Sequence, residues 1–163
     1  MRTARPESRW VYAVWMPADL DLVRRLSAAE HGLAIVATTR PDGAVHASVV
    51  NAGVLDSPTT GRPCVGLVAQ GGAHKLSHLR RAGRAAVVFR AGWEWVAVEG
   101  PVLLAGPDDQ LDDLDPEARA ALLRAIFTAA GGTHDDWDTY DRVMAEERRT
   151  AVLVEPARIT SNG

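Results

Sequence analysis

A chain of 163 residues, 47% hydrophobic and 24% charged, is long enough for one domain with a real core and too short for two ordinary ones. Its net charge of −3 excludes a global basic field for nucleic acid. Its one cysteine, Cys64, excludes an internal disulfide and fits a reducing cytoplasm, with the thiol expected as a small buried group in a strand.

The N-terminal "WVYAVWMP" is too short for a membrane span and soon meets Pro17 and acidic residues, so it makes a poor signal peptide, and a cytoplasmic chain is expected. "PADLDLVRRLSAAEHG" reads as a helix, with Pro17 at its first position, Asp19 and Asp21 at its positive end, and His31-Gly32 closing it. Leu20, Val23 and Leu26 share its apolar face. "LAIVATT" and "AVHASVVN", joined by Arg40-Pro41-Asp42-Gly43, predict a hairpin of two β-branched strands. A turn at "SPTTGRP" leads to the strand "CVGLVA", and "HKLSHLRRAG" predicts a short helix. "AAVVFR" and "WEWVAVEGPVLLA" form a second hairpin about Ala91-Gly92, with Trp93 and Trp95 on one face, expected to fill the interior.

Residues 107 to 148 turn helical and acidic. Asp115-Pro116 starts one helix, whose stripe is Ala118, Leu122, Ala125, Ile126 and Ala129, and Gly131-Gly132 stops it. Thr133 with Asp136 predicts a capping box for a second helix that buries Trp137, Tyr140 and Met144. "TAVLVEPARIT" closes the chain as a strand. About six strands in hairpin order predict a mainly β, antiparallel barrel with peripheral helices, as a single domain over residues 1–163. A parallel dinucleotide-binding sheet is disfavoured: strands do not alternate with long helices, and there is no GxGxxG.

The chemical signal is the distribution of charge. From Ser57 to Trp93 there is no acidic residue, whereas that stretch holds Arg62, Lys75, Arg80, Arg81, Arg84 and Arg90. Lys75 is the only lysine of the chain, and "GGAHK" sets it at a helix start, where free N–H groups attract a phosphate or carboxylate. The competing reading is a solvated basic face paired with the acidic segment at 108–147. His74 and His78 have the four-residue spacing of a metal pair, but no third ligand is placed and the arginines repel a cation; no metal is expected there. His134-Asp135-Asp136 is accounted for by helix capping, and no serine lies in a GxSxG elbow. The residues alone therefore reach a barrel with an anion site, suited to a phosphorylated aromatic ligand, and stop short of a reaction.

Three segments carry a resemblance: "GLAIVATTRPDGAVHASVV", "VGLVAQGGAHKLSHLRRAGRAAVVF" and "EWVAVEGPV". Together they resemble the pyridoxamine-phosphate-oxidase-like split β-barrels that bind flavins, and most nearly the actinobacterial branch using the deazaflavin coenzyme F-420. The tail from His134 is similar to the C-terminal segment of that branch, so the likeness spans residues about 17 to 162. It implies a cytoplasmic homodimer with the cofactor at the subunit interface, and hydride transfer to an electron-poor C=C or C=N bond of a small molecule. FMN is the alternative cofactor; a haem- or biliverdin-acting barrel and a non-enzymatic cofactor carrier are the alternative activities. Nucleic acid and membrane are not expected partners. By the same resemblance Thr38 and Thr39 approach the ring system, and Ser48, Val49 and Val50 flank it where relatives have Ser-Pro-Val. Lys75 sits on the phosphate, helped by the backbone about His74 and Leu76. His74 and His78 stand where relatives commonly carry arginine and asparagine. Tyr140, His46 and His78 are candidates for the proton donor.

Overall fold

The computed structural model describes residues 19–162. The first helix, α1 (Leu20–Ala29), starts at Asp19, whose carboxylate accepts hydrogen bonds from the backbone N–H groups of Asp21 and Leu22. That cap makes Leu20 the first helical residue; Pro17, expected in that role, lies outside the described residues. The predicted first hairpin is β1 (Leu33–Thr39) with β2 (Val45–Asp56), in register from Leu33 opposite Asn51 to Thr39 opposite Val45. Asp42 Oδ1 accepts from the Ala44 N–H and Gly43 takes a φ of 85°, which closes the turn between them.

β2 runs well past the hairpin. Its second half leaves β1 and pairs with β3 (Pro63–Ala69), from Ala52 opposite Leu67 to Asp56 opposite Pro63. After α2 (His74–Ala82), β4 (Arg84–Ala91) and β5 (Glu94–Ala105) form the second hairpin about Gly92-Trp93. β5 repeats the device of β2, pairing with β4 in its first half and with β6 (Thr150–Val154) in its second. Two long strands, each serving two neighbours, close a six-stranded antiparallel barrel in the order β4, β1, β2, β3, β6, β5 and back to β4. This is the split-barrel architecture.

The predicted last strand divides into β6 and β7 (Arg158–Ser161), both along the same edge of β5. Three residues, Glu155 to Ala157, oppose only Gly100 and Pro101, so the interruption is a bulge of one extra residue. It is stitched by Glu155 N–H to Pro101 O and Ala157 N–H to Glu99 O, both 2.9 Å. A Cβ on Gly100 would lie 1.7 Å from the Glu155 carbonyl oxygen, so the crossing requires glycine.

The interior is filled by Val36, Val65, Leu67, Val87, Phe89, Val96, Val98 and Val152, with α1 adding Leu22, Val23 and Leu26 and α2 adding Leu76 and Leu79. A second apolar layer lies outside β6, which is buried on both faces beneath α3 (Pro116–Ala129) and α4 (Trp137–Glu146). Cys64 belongs to that layer, and burial pushes its thiol up to about 11, leaving it protonated and inert. Asp115 caps α3 as predicted, but Leu123 is buried and Ala125 exposed, a small rotation of the expected stripe. Asp136 itself caps α4, so the box expected from Thr133 does not form. The tryptophans depart furthest from expectation. Val96 and Val98 take the interior, while Trp95 is 36% and Trp93 91% exposed. Trp93 lies in the turn, where strand alternation no longer governs its direction.

Candidate functional site

The loop from β3 into α2, Gln70-Gly71-Gly72-Ala73, packs on the turn between α4 and β6. Gly71 N–H donates to Glu147 O at 3.1 Å. A Cβ on Gly71 would fall 2.6 Å from Arg148 Cβ and 2.8 Å from Arg148 O, so only glycine permits this approach. Its consequence is that Lys75, at the start of α2, and Arg149, just before β6, line one cleft of about 470 Å³. Val50 and Val68 of the barrel form one wall, and Phe127 and Tyr140 of α3 and α4 form the opposite one. No carboxylate lines it. Burial first, and then the Arg149 charge, hold the Lys75 ammonium below its usual value. Arg149 is held by Glu147, with Nε 2.7 Å from Oε2, whereas Lys75 makes no ion pair among the described residues. Ala73 supplies no side-chain cap, so the positive end of α2 adds to the same field. A cleft of this volume, lined by apolar side chains and two neighbouring cations, suits a ligand that is part apolar and part anionic.

The other basic groups of the acid-free stretch divide. Arg80 is taken by Asp109 in a two-pronged bond of 2.8 and 2.7 Å, so the competing reading, a basic face paired with the acidic segment, holds at that position. Arg81 Nη2 donates to Thr39 O at 2.6 Å.

The residues singled out in the sequence fall into two groups. Val49, Val50 and Lys75 line the cleft. Thr38, Ser48 and His78 lie apart from its lining, together with His46. Thr38 Oγ1 and His78 Nδ1 are hydrogen-bonded at 3.0 Å, and the His46 and His78 rings meet edge-on with centroids 5.4 Å apart. His74 and Thr39 are exposed, and Leu76 is fully buried in the core with its N–H donated to Ala73 O. Tyr140 points its hydroxyl at Leu123 O, 3.2 Å away, and burial raises its pKa, so it stays a phenol committed to the backbone. Sequence reasoning missed Arg149, Phe127 and the role of Tyr140 in the cleft wall. The available signal was Arg148-Arg149, a basic pair inside an otherwise acidic segment.

On the outer side, β1, β2, β4 and the β5 hairpin expose a band of apolar side chains. Leu33, Ile35, Val45 and Val49 are 48, 43, 68 and 69% exposed. Ile35 lies opposite Val49 on one side and Val88 on the other. The band reaches Trp95 and Trp93, whose turn is clamped by Asn162: its side chain donates to Trp93 O at 2.9 Å and accepts from Trp95 N–H at 3.0 Å. Val49 belongs both to this band and to the cleft.

Barrel, shared strands and cleft define the class by fold alone: a split β-barrel. No family model matches the sequence, and no curated protein is detectably similar to it. Solved structures are similar in fold. A pyridoxamine 5′-phosphate oxidase-related, FMN-binding protein from Nostoc punctiforme aligns with a TM-score of 0.59 at 16% identity, over 93% of this chain and 84% of that one. An F420 reductase aligns with a TM-score of 0.51 at 14% identity, over 78% and 88%. A heme-binding protein from Mycobacterium smegmatis aligns with a TM-score of 0.58 at 17% identity, over 92% of this chain and 59% of that one. At these identities the likeness shows the fold. Among the described residues no helix is long and apolar enough to cross a membrane.

Proposed function

We propose that this chain is a homodimeric oxidoreductase that holds a phosphorylated flavin-type cofactor, coenzyme F-420, in the Lys75 cleft. The observation that carries this reading is the cleft itself: free of carboxylates, walled by Val50, Phe127 and Tyr140, and closed at one end by Lys75 and Arg149. That donor set fits a planar ring with an anionic arm. The ammonium of Lys75, held below its usual value, gains a counter-ion when a phosphate arrives. Fold neighbours that bind FMN or act as an F420 reductase support the same class of ligand. The choice of the deazaflavin over FMN follows the sequence resemblance to the F-420-using branch.

When bound, the reduced deazaflavin supplies a hydride from C5 for an electron-poor C=C or C=N bond. This chain's residues do the rest. Lys75 and Arg149 fix the phosphate, and the Val50 and Phe127 walls orient the ring and exclude water. The outer apolar band meets a second copy, and Val49, common to band and cleft, puts the cofactor beside that contact. Fluorescence-quenching titrations with F-420 and FMN test the assignment. Tighter binding of F-420, with oxidation of its reduced form by an enone or quinone, is expected. Tighter binding of FMN would transfer the reading to a flavin oxidoreductase, and binding without turnover on any acceptor to a carrier.

A further inference from the structure

Lys75 carries a chemistry that holding a phosphate does not use. It is half-buried and shares the lining of the cleft with Val50, Phe127, Tyr140 and Arg149. Arg80, further along the same helix, is taken by Asp109, whereas Lys75 makes no ion pair among the described residues. An amine is a nucleophile only in its unprotonated form. Two conditions activate a lysine in this way: desolvation in an apolar pocket, and a second cation beside it. Lys75 meets both. Burial among the apolar walls acts first and the Arg149 charge second, and together they hold its ammonium below its ordinary value. No carboxylate lines the cleft to hold the proton back or to repel an anionic ligand. Arginine in this place could not react, because a guanidinium keeps its proton. The single lysine of a chain that otherwise uses arginine thus gains a reason that a surface charge does not supply.

We propose that Lys75 is a covalent capture site for an anionic carbonyl compound: an aldehyde or ketone whose apolar body lies between Val50 and Phe127, and whose anionic group pairs with Arg149, forms an imine with Nζ. The neutral amine adds to the carbonyl carbon, and the carbinolamine loses its oxygen as water. A C=N bond replaces the C=O bond, one water is released, and nothing is oxidised or reduced. Water carries the protons, since the Tyr140 hydroxyl is committed to Leu123 O. The inference uses the cleft but not its cofactor. The imine forms while the cofactor is absent, and a cofactor phosphate seated on Lys75 excludes it.

The probe is para-formylbenzoate, an anionic aromatic aldehyde, with its uncharged methyl ester as the control. The full chain is incubated with each aldehyde, trapped with cyanoborohydride and mapped by mass spectrometry. With one lysine in the chain, the other amine is the amino terminus, which falls in a separate tryptic peptide. Each rate is taken relative to that of the chain in denaturant, which removes the intrinsic difference between the reagents. On this scale Lys75 labelling by para-formylbenzoate should saturate with concentration and be about tenfold faster than labelling by the ester, the effect of one charge-assisted contact. Arg149→Gln should remove that difference, and F-420 should protect Lys75. If folding does not accelerate the labelling of Lys75, or if the acid and the ester gain equally from it, the capture site is overturned, and F-420 binding still tests the cleft reading by itself. If Lys75 is captured as expected but F-420, bound by the criterion of fluorescence quenching, leaves the rate unchanged, the capture site stands and the cofactor reading of the cleft falls.

Discussion

One lysine among 18 lysine and arginine residues is a compositional signal, and its position gives that signal a mechanism. Lys75 faces a carboxylate-free cleft, beside the charge of Arg149. Lys75→Ala should weaken cofactor binding by about 1.5–3 kcal/mol, the loss of one charge-assisted hydrogen bond. Lys75→Arg should weaken it as well, since a planar fork does not replace a compact ammonium. Titration of both variants against the wild type checks this, and unchanged affinity in both would return Lys75 to the role of a surface charge. Lys75 was legible because clustered charge is a local property, and Val50 because the family resemblance carried it over. Arg149 was not, because its approach to Lys75 is made by a tertiary contact at Gly71. The burial of His78 was also hidden: it lies beside Leu76 and Leu79 on the buried side of a helix that is polar on average, where a histidine is read as a surface group. That burial has its own consequence. The folded chain holds His78 below its ordinary value of 6.5, so the unfolded chain takes up the proton first as pH falls. His78 therefore contributes fully above that value and loses its contribution progressively below it. The Tm of the wild type should drop more between pH 8 and pH 5 than that of His78→Asn. Parallel pH profiles would count against a neutral buried ring.

At the scale of elements, the hairpins, α3 with its Asp115 cap and Pro116 start, and the short α2 follow from turn chemistry and periodicity, which act over a few residues. What the sequence did not disclose is how the strands are shared. Nothing local says that β2 and β5 each bend to serve two partners, or that "TAVLVEPARIT" bulges at Glu155–Ala157 to pass Gly100. Trp93 was misread because the alternation was extended into a turn, and Trp95 because the Val96 and Val98 face of β5, not its own, points into the barrel. Gly71 is where element packing sets site geometry. Gly71→Ala places a methyl group 2.6 Å from Arg148 Cβ and 2.8 Å from Arg148 O, so the β3–α2 loop must lift off the α4–β6 turn. The expected cost is about 1–3 kcal/mol of stability, the range for overpacking. The same shift moves Lys75 from Arg149, so cofactor affinity should fall together with the denaturation midpoint. Gly72→Ala meets no neighbouring atom but occupies a φ of 79°, so it should strain the loop without forcing the two segments apart. A matched loss of affinity in both variants would show that the loop conformation matters and its seat on Arg148 does not.

At the scale of the molecule, the barrel buries one apolar system inside and leaves another outside. Leu33, Ile35, Val45 and Val49 lie on the outward face of the first hairpin, and Trp93, whose backbone carbonyl is held by Asn162, is 91% exposed. Soluble monomers seldom leave so continuous an apolar band in water, and it adjoins the cleft through Val49. Its occupant under the functional reading is the same band of a second copy, which a two-fold axis makes self-complementary. The wild type should therefore run at twice the 17.5 kDa chain mass in light scattering. Ile35 sits centrally, between Val49 and Val88. Because it is 43% exposed in the single chain, Ile35→Lys should leave the far-UV circular dichroism of the barrel intact. In a pair of copies it would bury two like charges against each other, and the variant should run at the mass of one chain. Cofactor affinity then distinguishes two arrangements. If the partner completes the site, the monomeric variant binds F-420 much more weakly although Ile35 does not line the cleft. If the cleft is complete within one chain, affinity is retained. A wild-type protein that runs as a monomer at micromolar concentration would remove the dimer from the proposal and leave the apolar band to another partner.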